Sequence, residues 1–157
     1  MECATLRAAE DGLRLQKNTS LALYSVLESA ADPTRHISAA EIADKYGVSP
    51  HHLAKVLSEL ARAGIVESVR GVGGGYRFVA NARRLTLMDV IQTFEDPGLP
   101  NGGRRESGEL TPVGRALGAV LSEIDEIANA TFSSITIATM LGLIGRQQRG
   151  TARRRVR

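Results

Sequence analysis

The stretch Val69–Val79, VRGVGGGYRFV, packs four glycines into five positions and flanks them with Arg70 and Arg77. Such a cluster either cradles a nucleotide phosphate or turns a hairpin, and the two readings lead to different proteins. The neighbouring residues decide between them. IVESV at 65–69 and YRFVA at 76–80 are rich in β-branched and aromatic residues, so the local order is strand, turn, strand. A dinucleotide fold or phosphate loop needs strand, glycine turn, helix. The letters disagree as well: Gly71 and Gly73 fit the first two glycines of G-x-G-x-x-G, Tyr76 stands at the third, and no G-K-[ST] follows. The stretch therefore reads as a hairpin. Its tip is bare backbone at Gly73, Gly74 and Gly75, free to approach a phosphate or enter a narrow groove beside Arg70 and Arg77. A tight hairpin with no ligand is the competing reading at this stage.

Upstream lies ISAAEIADKYGVSPHHLAKVLSELARAGIVESV. Ser38 with Glu41 three residues later has capping-box spacing, Ile42 and Ala43 supply a buried face, and Gly47 ends that helix. A second helix starts at once, with Ser49 as cap acceptor and Pro50 at the first helical position, where no amide donor is needed. Leu53, Val56, Leu57 and Leu60 form its apolar stripe, and Gly64 stops it. Helices over 39–46 and 50–63 joined by a tight turn are a helix-turn-helix. The outer face of the second carries His51, His52, Lys55 and Ser58. Paired short helices are common, so this face alone does not separate a DNA reader from a solvated surface. Followed directly by a basic hairpin, it makes a winged helix, which is far more specific than either part.

The rest of the chain is read around that module. KNTSLALYSVLESAA forms a first helix over 17–31, stopped by Pro33. Thr86 and Asp89 repeat the capping-box pattern ahead of a short scaffold helix packed on the first. Residues 96–111 are Pro, Gly and polar residues without period, expected as a flexible loop. From Pro112, the residues Val113, Leu117, Val120, Leu121, Ile124 and Ile127 recur at helical spacing over almost five turns. A stripe that long needs a partner, and pairing with a second copy is favoured over completing the internal core. FSSITIATMLGLI adds a second apolar segment able to close that interface. The resulting fold class is mainly α with a small β-hairpin, a winged helix-turn-helix plus a long dimerisation helix. Its divisions are an N-terminal extension (1–12), the winged domain (13–95), the flexible loop (96–111), dimerisation helices (112–144) and a disordered basic tail (145–157).

Composition agrees. The 157 residues contain no Trp, three Tyr and three Phe, so the core rests on aliphatic side chains, which suit helices. The net charge of +3 conceals a pattern: residues 35–84 carry +4, 85–145 carry −5 and 146–157 carry +6. A polyanion partner should therefore dock on 35–84, with the arginine tail adding nonspecific phosphate contacts. No apolar run reaches the length of a membrane span and the start lacks a signal-peptide centre, so a cytoplasmic location is expected. The single cysteine, Cys3, cannot form an internal disulfide or supply a multi-cysteine metal site from one chain.

The residues from Leu13 to Leu143 resemble the bacterial winged-helix regulators that include IscR, NsrR and CymR, most densely over LARAGIVESVRGVGGGY. The resemblance implies a homodimeric transcription factor whose long helices pair across a twofold axis. It places base-reading positions at His51, His52 and Lys55, the wing arginine at Arg70, and phosphate contacts at Ser49 and at Lys17. Sensors of that family hold an iron-sulfur cluster with three cysteines before the dimer helix. The corresponding 96–111 loop has none, so no cofactor is expected.

The expected function is a homodimeric, sequence-specific DNA-binding regulator, a repressor acting on a pseudo-palindromic operator in double-stranded DNA. Its contacts would come from Lys17, Ser49, Pro50, His51, His52, Lys55, Arg70, Gly73, Gly74, Gly75 and Arg77. The alternative is a winged-helix adaptor that binds protein instead of operator. An enzyme is disfavoured, since no Ser/His/Asp set, catalytic carboxylate pair or complete phosphate loop is present. The controlling signal is left open between an unknown small-molecule effector, oxidation of Cys3 and a partner protein.

Overall fold

A computed structural model describes residues 15–95 and 111–155. The chain order is α1 (Lys17–Ala31), α2 (Ala39–Tyr46), α3 (Pro50–Arg62), β1 (Val66–Val69), β2 (Gly75–Phe78), α4 (Leu87–Gln92), α5 (Pro112–Ser134) and α6 (Ile137–Arg155). The N-terminal extension and nearly all of the loop expected before α5 lie outside the described residues.

The helix starts form for the reasons legible in the letters. Ser38 accepts from the Glu41 amide, Ser49 from that of His52, and Thr111 from that of Gly114. At Thr86 the box is complete, with its hydroxyl accepting from the Asp89 amide at 3.1 Å and the Asp89 carboxylate accepting from the Thr86 amide at 2.8 Å. Gly47 turns α2 into α3 in the left-handed region (φ 63°), and the Val48 amide then closes on Ala43 O at 2.9 Å.

One core joins these elements. Leu21, Ala22 and Val26 of α1 meet Ile42 and Ala43 of α2, Leu53, Val56, Leu57 and Leu60 of α3, Val66 and Phe78 of the hairpin, and Val90 of α4. Two serines buried on α1 are satisfied locally, Ser25 donating to Leu21 O at 2.7 Å and Ser29 to Ser25 O at 2.8 Å. The Glu95 carboxylate, beyond α4, accepts from the Gln16 amide at 2.7 Å and from the Thr19 hydroxyl, capping α1 from 79 residues away in sequence.

The hairpin pairs Val66 with Phe78, Glu67 with Arg77, Ser68 with Tyr76 and Val69 with Gly75. Its outer edge is fixed by Ile37, which exchanges two backbone hydrogen bonds with Tyr76 at 2.9 Å each. The wing is therefore bolted to the residue preceding the Ser38 cap.

Two features depart from the sequence reading. Ile137, grouped above with the dimerisation helices, is fully buried in the winged-helix core. The junction around it is stitched to residues 82–87, with Leu87 N donating to Ile135 O (2.9 Å), Ile137 N to Leu85 O (2.9 Å) and Ala138 N to Ala82 O (2.8 Å). The tail expected to be disordered instead continues α6 to Arg155. Once Ile137 is anchored each further residue adds one helical hydrogen bond, and Arg, Gln and Ala propagate well enough to carry the helix through Gly142, Gly145 and Gly150.

Candidate nucleic-acid interface

One face of α3 is sealed into the core and the opposite face is uncovered. His51, Lys55, Ser58 and Arg62 are exposed and recur at intervals of four, three and four residues, a single stripe along the helix. The Ser49 hydroxyl is occupied as cap acceptor for the His52 amide, and Pro50 beside it is exposed at the first helical position. His52 departs from the expectation of an outward-facing reader. It is half-buried, and its Nε2 is enclosed without a protein partner among the described residues. Position 52 lies four residues before the buried Val56, so it leans toward the core side of the stripe.

The wing likewise splits into parts with different duties. Arg70 is exposed, and Gly71 and Gly73, both at positive φ, face open space. Between them Val72 is fully exposed, an apolar side chain at the tip that the sequence reading passed over. Gly74 and Gly75, both half-buried, are glycines for an internal reason as well. A Cβ at Gly74 would meet Val69 O at 2.3 Å, and one at Gly75 would meet Ile37 O at 2.7 Å, so both glycines serve close approach within the chain itself. Arg77 is revised too. Its guanidinium pairs with the Glu67 carboxylate directly opposite on β1, and its Nε is enclosed without a partner, which makes it a cross-strand strut.

That pairing is part of a wider neutralisation. Of the eight basic residues between 35 and 84, four are held in ion pairs: Arg35 with Glu41, Lys45 with Glu28 (2.6 Å), Arg62 with Glu59 (2.8 Å), and Arg77 with Glu67. The cationic field of the module therefore rests on Lys55, Arg70, Arg83 and Arg84. The last two are exposed in the turn after the wing and were not singled out from sequence, although the RR pair was visible there. Lys17 is exposed as the first residue of α1.

The first helix of the helix-turn-helix, α2, is held against α1 by an aromatic and ionic clasp. Tyr24 and Tyr46 stack with ring centroids 4.7 Å apart and planes 6° from parallel. The Glu28 carboxylate accepts from both the Tyr46 hydroxyl and Lys45 Nζ. Partial burial pushes Glu28 up, but the hydrogen bonds from Lys45 and Tyr46 and the Lys45 charge outweigh it and hold the carboxyl below its ordinary value. Tyr46 moves up, through burial first and then through its bond to, and the negative charge of, Glu28. A hollow of about 270 Å³ beside this clasp is lined by the ion pairs Arg35–Glu41 and Lys45–Glu28 and by Asp32, whose carboxylate accepts from Thr34.

On α5 no residue is buried, yet Val113, Leu117, Val120, Leu121, Ile124 and Ile127 stand 49 to 77% exposed. They follow one seam of the helix.

This arrangement of a capped helix-turn-helix, a bolted wing and a long uncovered apolar helix has relatives. The profile of the Rrf2 family, described as an iron-dependent transcriptional regulator, matches residues 15–142. The chain belongs to the Rrf2 family. It is 50% identical over 141 residues to the HTH-type transcriptional regulator BadM of Rhodopseudomonas palustris, covering 90% of this chain and 89% of that one. Among solved structures, CymR, the global cysteine regulator of B. subtilis, superposes with a TM-score of 0.68 at 25% identity, covering 84% of this chain and 98% of CymR. IscR of T. potens gives 0.64 at 25% identity, covering 87% and 92%. This Rrf2 chain is thus a winged-helix transcriptional regulator and not an enzyme.

The family description raises iron. Cluster ligation needs several thiolates, and this Rrf2 chain has only Cys3. Among the described residues no group of three or more His, Cys, Asp or Glu side chains is placed to hold a metal ion. The residues do not fit a cysteine-bound cluster. No helix among the described residues is long and apolar enough to cross a membrane.

Proposed function

We propose that two copies of this Rrf2 chain pair through α5 and bind a pseudo-palindromic operator as a repressor. The observation that carries the reading is the two-faced α3: its apolar side is locked in the core while His51, Lys55 and Ser58 stand uncovered beside the wing. In a duplex complex α3 lies in the major groove, where His51 and Lys55 donate to acceptors on base edges. Arg70 and the Val72 tip meet the flanking minor groove, and Lys17, Ser49 and the Pro50 turn border the phosphates. His52 supports the helix start from its half-buried position. Arg77, Gly74 and Gly75 act indirectly by setting the wing's shape.

Pairing through α5 is supported by energetics. Burying what remains exposed of six aliphatic side chains on each of two protomers is worth roughly 10–20 kcal/mol by the usual transfer values. That is enough to offset an association cost of about 4–15 kcal/mol. A twofold dimer sets two reading helices about 34 Å apart on successive major grooves, hence the symmetric operator.

The test is selection of bound duplexes from a random library, with sedimentation of the protein and a promoter-reporter assay on the selected site. A symmetric consensus, a dimer and lowered reporter output are expected. An unselective pool, or binding without salt dependence, would instead favour an adaptor that uses the same fold to hold protein.

A further inference from the structure

The outer part of α6, whose arginines the sequence reading expects to add nonspecific phosphate contacts, is not among the operator contacts proposed above. Residues 146–157 hold six arginines and no carboxylate, and α6 carries five of these arginines on helix that runs to Arg155. Residues 146–151 are all exposed, whereas Ile137 at the other end of α6 is fully buried. At 1.5 Å per residue, Arg146 stands about 14 Å and Arg155 about 27 Å along the axis from that anchor. The helix is thus fixed at its base and clear of the body where it becomes cationic. Arg146, Arg149 and Arg153 recur at three and four residues, the spacing of one helix face.

None of the ion pairs among the described residues uses Arg146 or Arg149. Between residues 35 and 84, by contrast, four of the eight basic residues are tied to carboxylates. Arg146 and Arg149 are thus exposed cations without an ion-pair partner among the described residues, at the start of a run of five arginines on the helix. Its cations are all arginine, whose planar fork matches phosphate oxygens two at a time and stays charged at any working pH.

We infer that the outer half of α6 is a second nucleic-acid contact, an arginine-bearing helical arm that grips duplex phosphates flanking the operator. This rests on the regulator reading above and extends it. Because phosphates carry no sequence information, the arm adds affinity and leaves selectivity to α3 and the wing. The competing occupant is acidic protein surface, including Glu123, Asp125 and Glu126 on α5 of a second copy.

The experiment uses the full chain with Arg149, Arg153, Arg154 and Arg155 all changed to Gln, which keeps helix propensity, and a matched variant with all four changed to Lys, which keeps charge. Affinities for the selected operator and for a random duplex are followed from 50 to 200 mM salt. If half of the eight cations removed per dimer touch phosphate, the slope of log affinity against log salt falls by about 3.6. The affinity gap between wild type and the Gln variant then changes by about 150-fold across that range. The Lys variant should restore most of the slope, and the operator-to-random ratio should stay within about threefold of wild type.

An unchanged slope in the Gln variant overturns the proposal. So does a Gln variant that sediments as monomer while the Lys variant sediments as dimer, which would assign the arm to the subunit contact. A wild-type chain that selects no operator yet shows the arm-dependent slope on random duplex would overturn the operator reading and leave the arm standing. Absence of any duplex binding would overturn both.

Discussion

Replacing Leu121 with Glu tests the α5 seam with little risk to the protomer. Leu121 is 52% exposed and no residue of α5 is buried, so the substitution removes nothing from the core and places a good helix former on a helix surface. In a twofold dimer the same position counts twice. Fully burying a leucine is worth about 1.5–3 kcal/mol, so losing the exposed half in both copies costs roughly 1.5–3 kcal/mol per dimer. Two carboxylates forced into an apolar seam add several kcal/mol more unless the helices separate. The combined penalty of about 5 kcal/mol or above weakens dimerisation by three to four orders of magnitude. Sedimentation velocity at micromolar concentration should show a dimer for wild type and a monomer for Leu121→Glu. Circular dichroism should report similar helix content and cooperative melting in both. Operator affinity should fall by about 10²–10⁴, because the two half-sites are no longer linked, while a single half-site is bound as before. A Leu121→Glu chain that stays dimeric, or a wild type already monomeric, would refute the assignment of the seam.

Arg70→Ala should lower the salt slope of operator binding by about 1.8 for the dimer, one phosphate-range contact per wing, as read by fluorescence anisotropy across a salt series. Gly75→Ala should lower the melting temperature, because its Cβ would sit 2.7 Å from Ile37 O at a φ of 149°, with a cost of about 2 kcal/mol or more. Val72→Ser should leave the unfolding free energy within about 0.5 kcal/mol of wild type, since the side chain is fully exposed, yet reduce operator affinity. Glu28→Gln should destabilise by about 1 kcal/mol at neutral pH through weakened bonds to Tyr46 and Lys45. The folded-state value of Glu28 is depressed, so its contribution is present above the ordinary glutamate pKa of about 4.3 and is lost as pH falls through the lower folded value. The deficit of the variant should therefore close on acidification. Tyr46 runs the other way: its raised value gives stability that is present below about pH 10 and lost as pH climbs further.

Local signals in the chain by themselves determined the elements of the winged helix. Ser38, Ser49 and Thr86 announce helix starts because a side-chain oxygen reaches an amide only two or three residues on, and Gly47 announces a stop because positive φ is a property of one residue. The stripe at Leu53, Val56, Leu57 and Leu60 likewise settles which face of α3 goes inward, and hence which face is left uncovered.

What only tertiary structure decided is how polar and small residues are spent. Arg77 looked like a free cation until register set it opposite Glu67, and Gly75 looked like a ligand-facing glycine until Ile37 arrived from 38 residues upstream. Glu95 on the α1 start and Ile137 in the core are contacts of the same long-range kind. Helix period and caps act over a few residues and are written in adjacent letters. An ion pair, a cross-strand clash or a buried plug depends on which distant segment folds alongside, and that is set by the packing of the whole core.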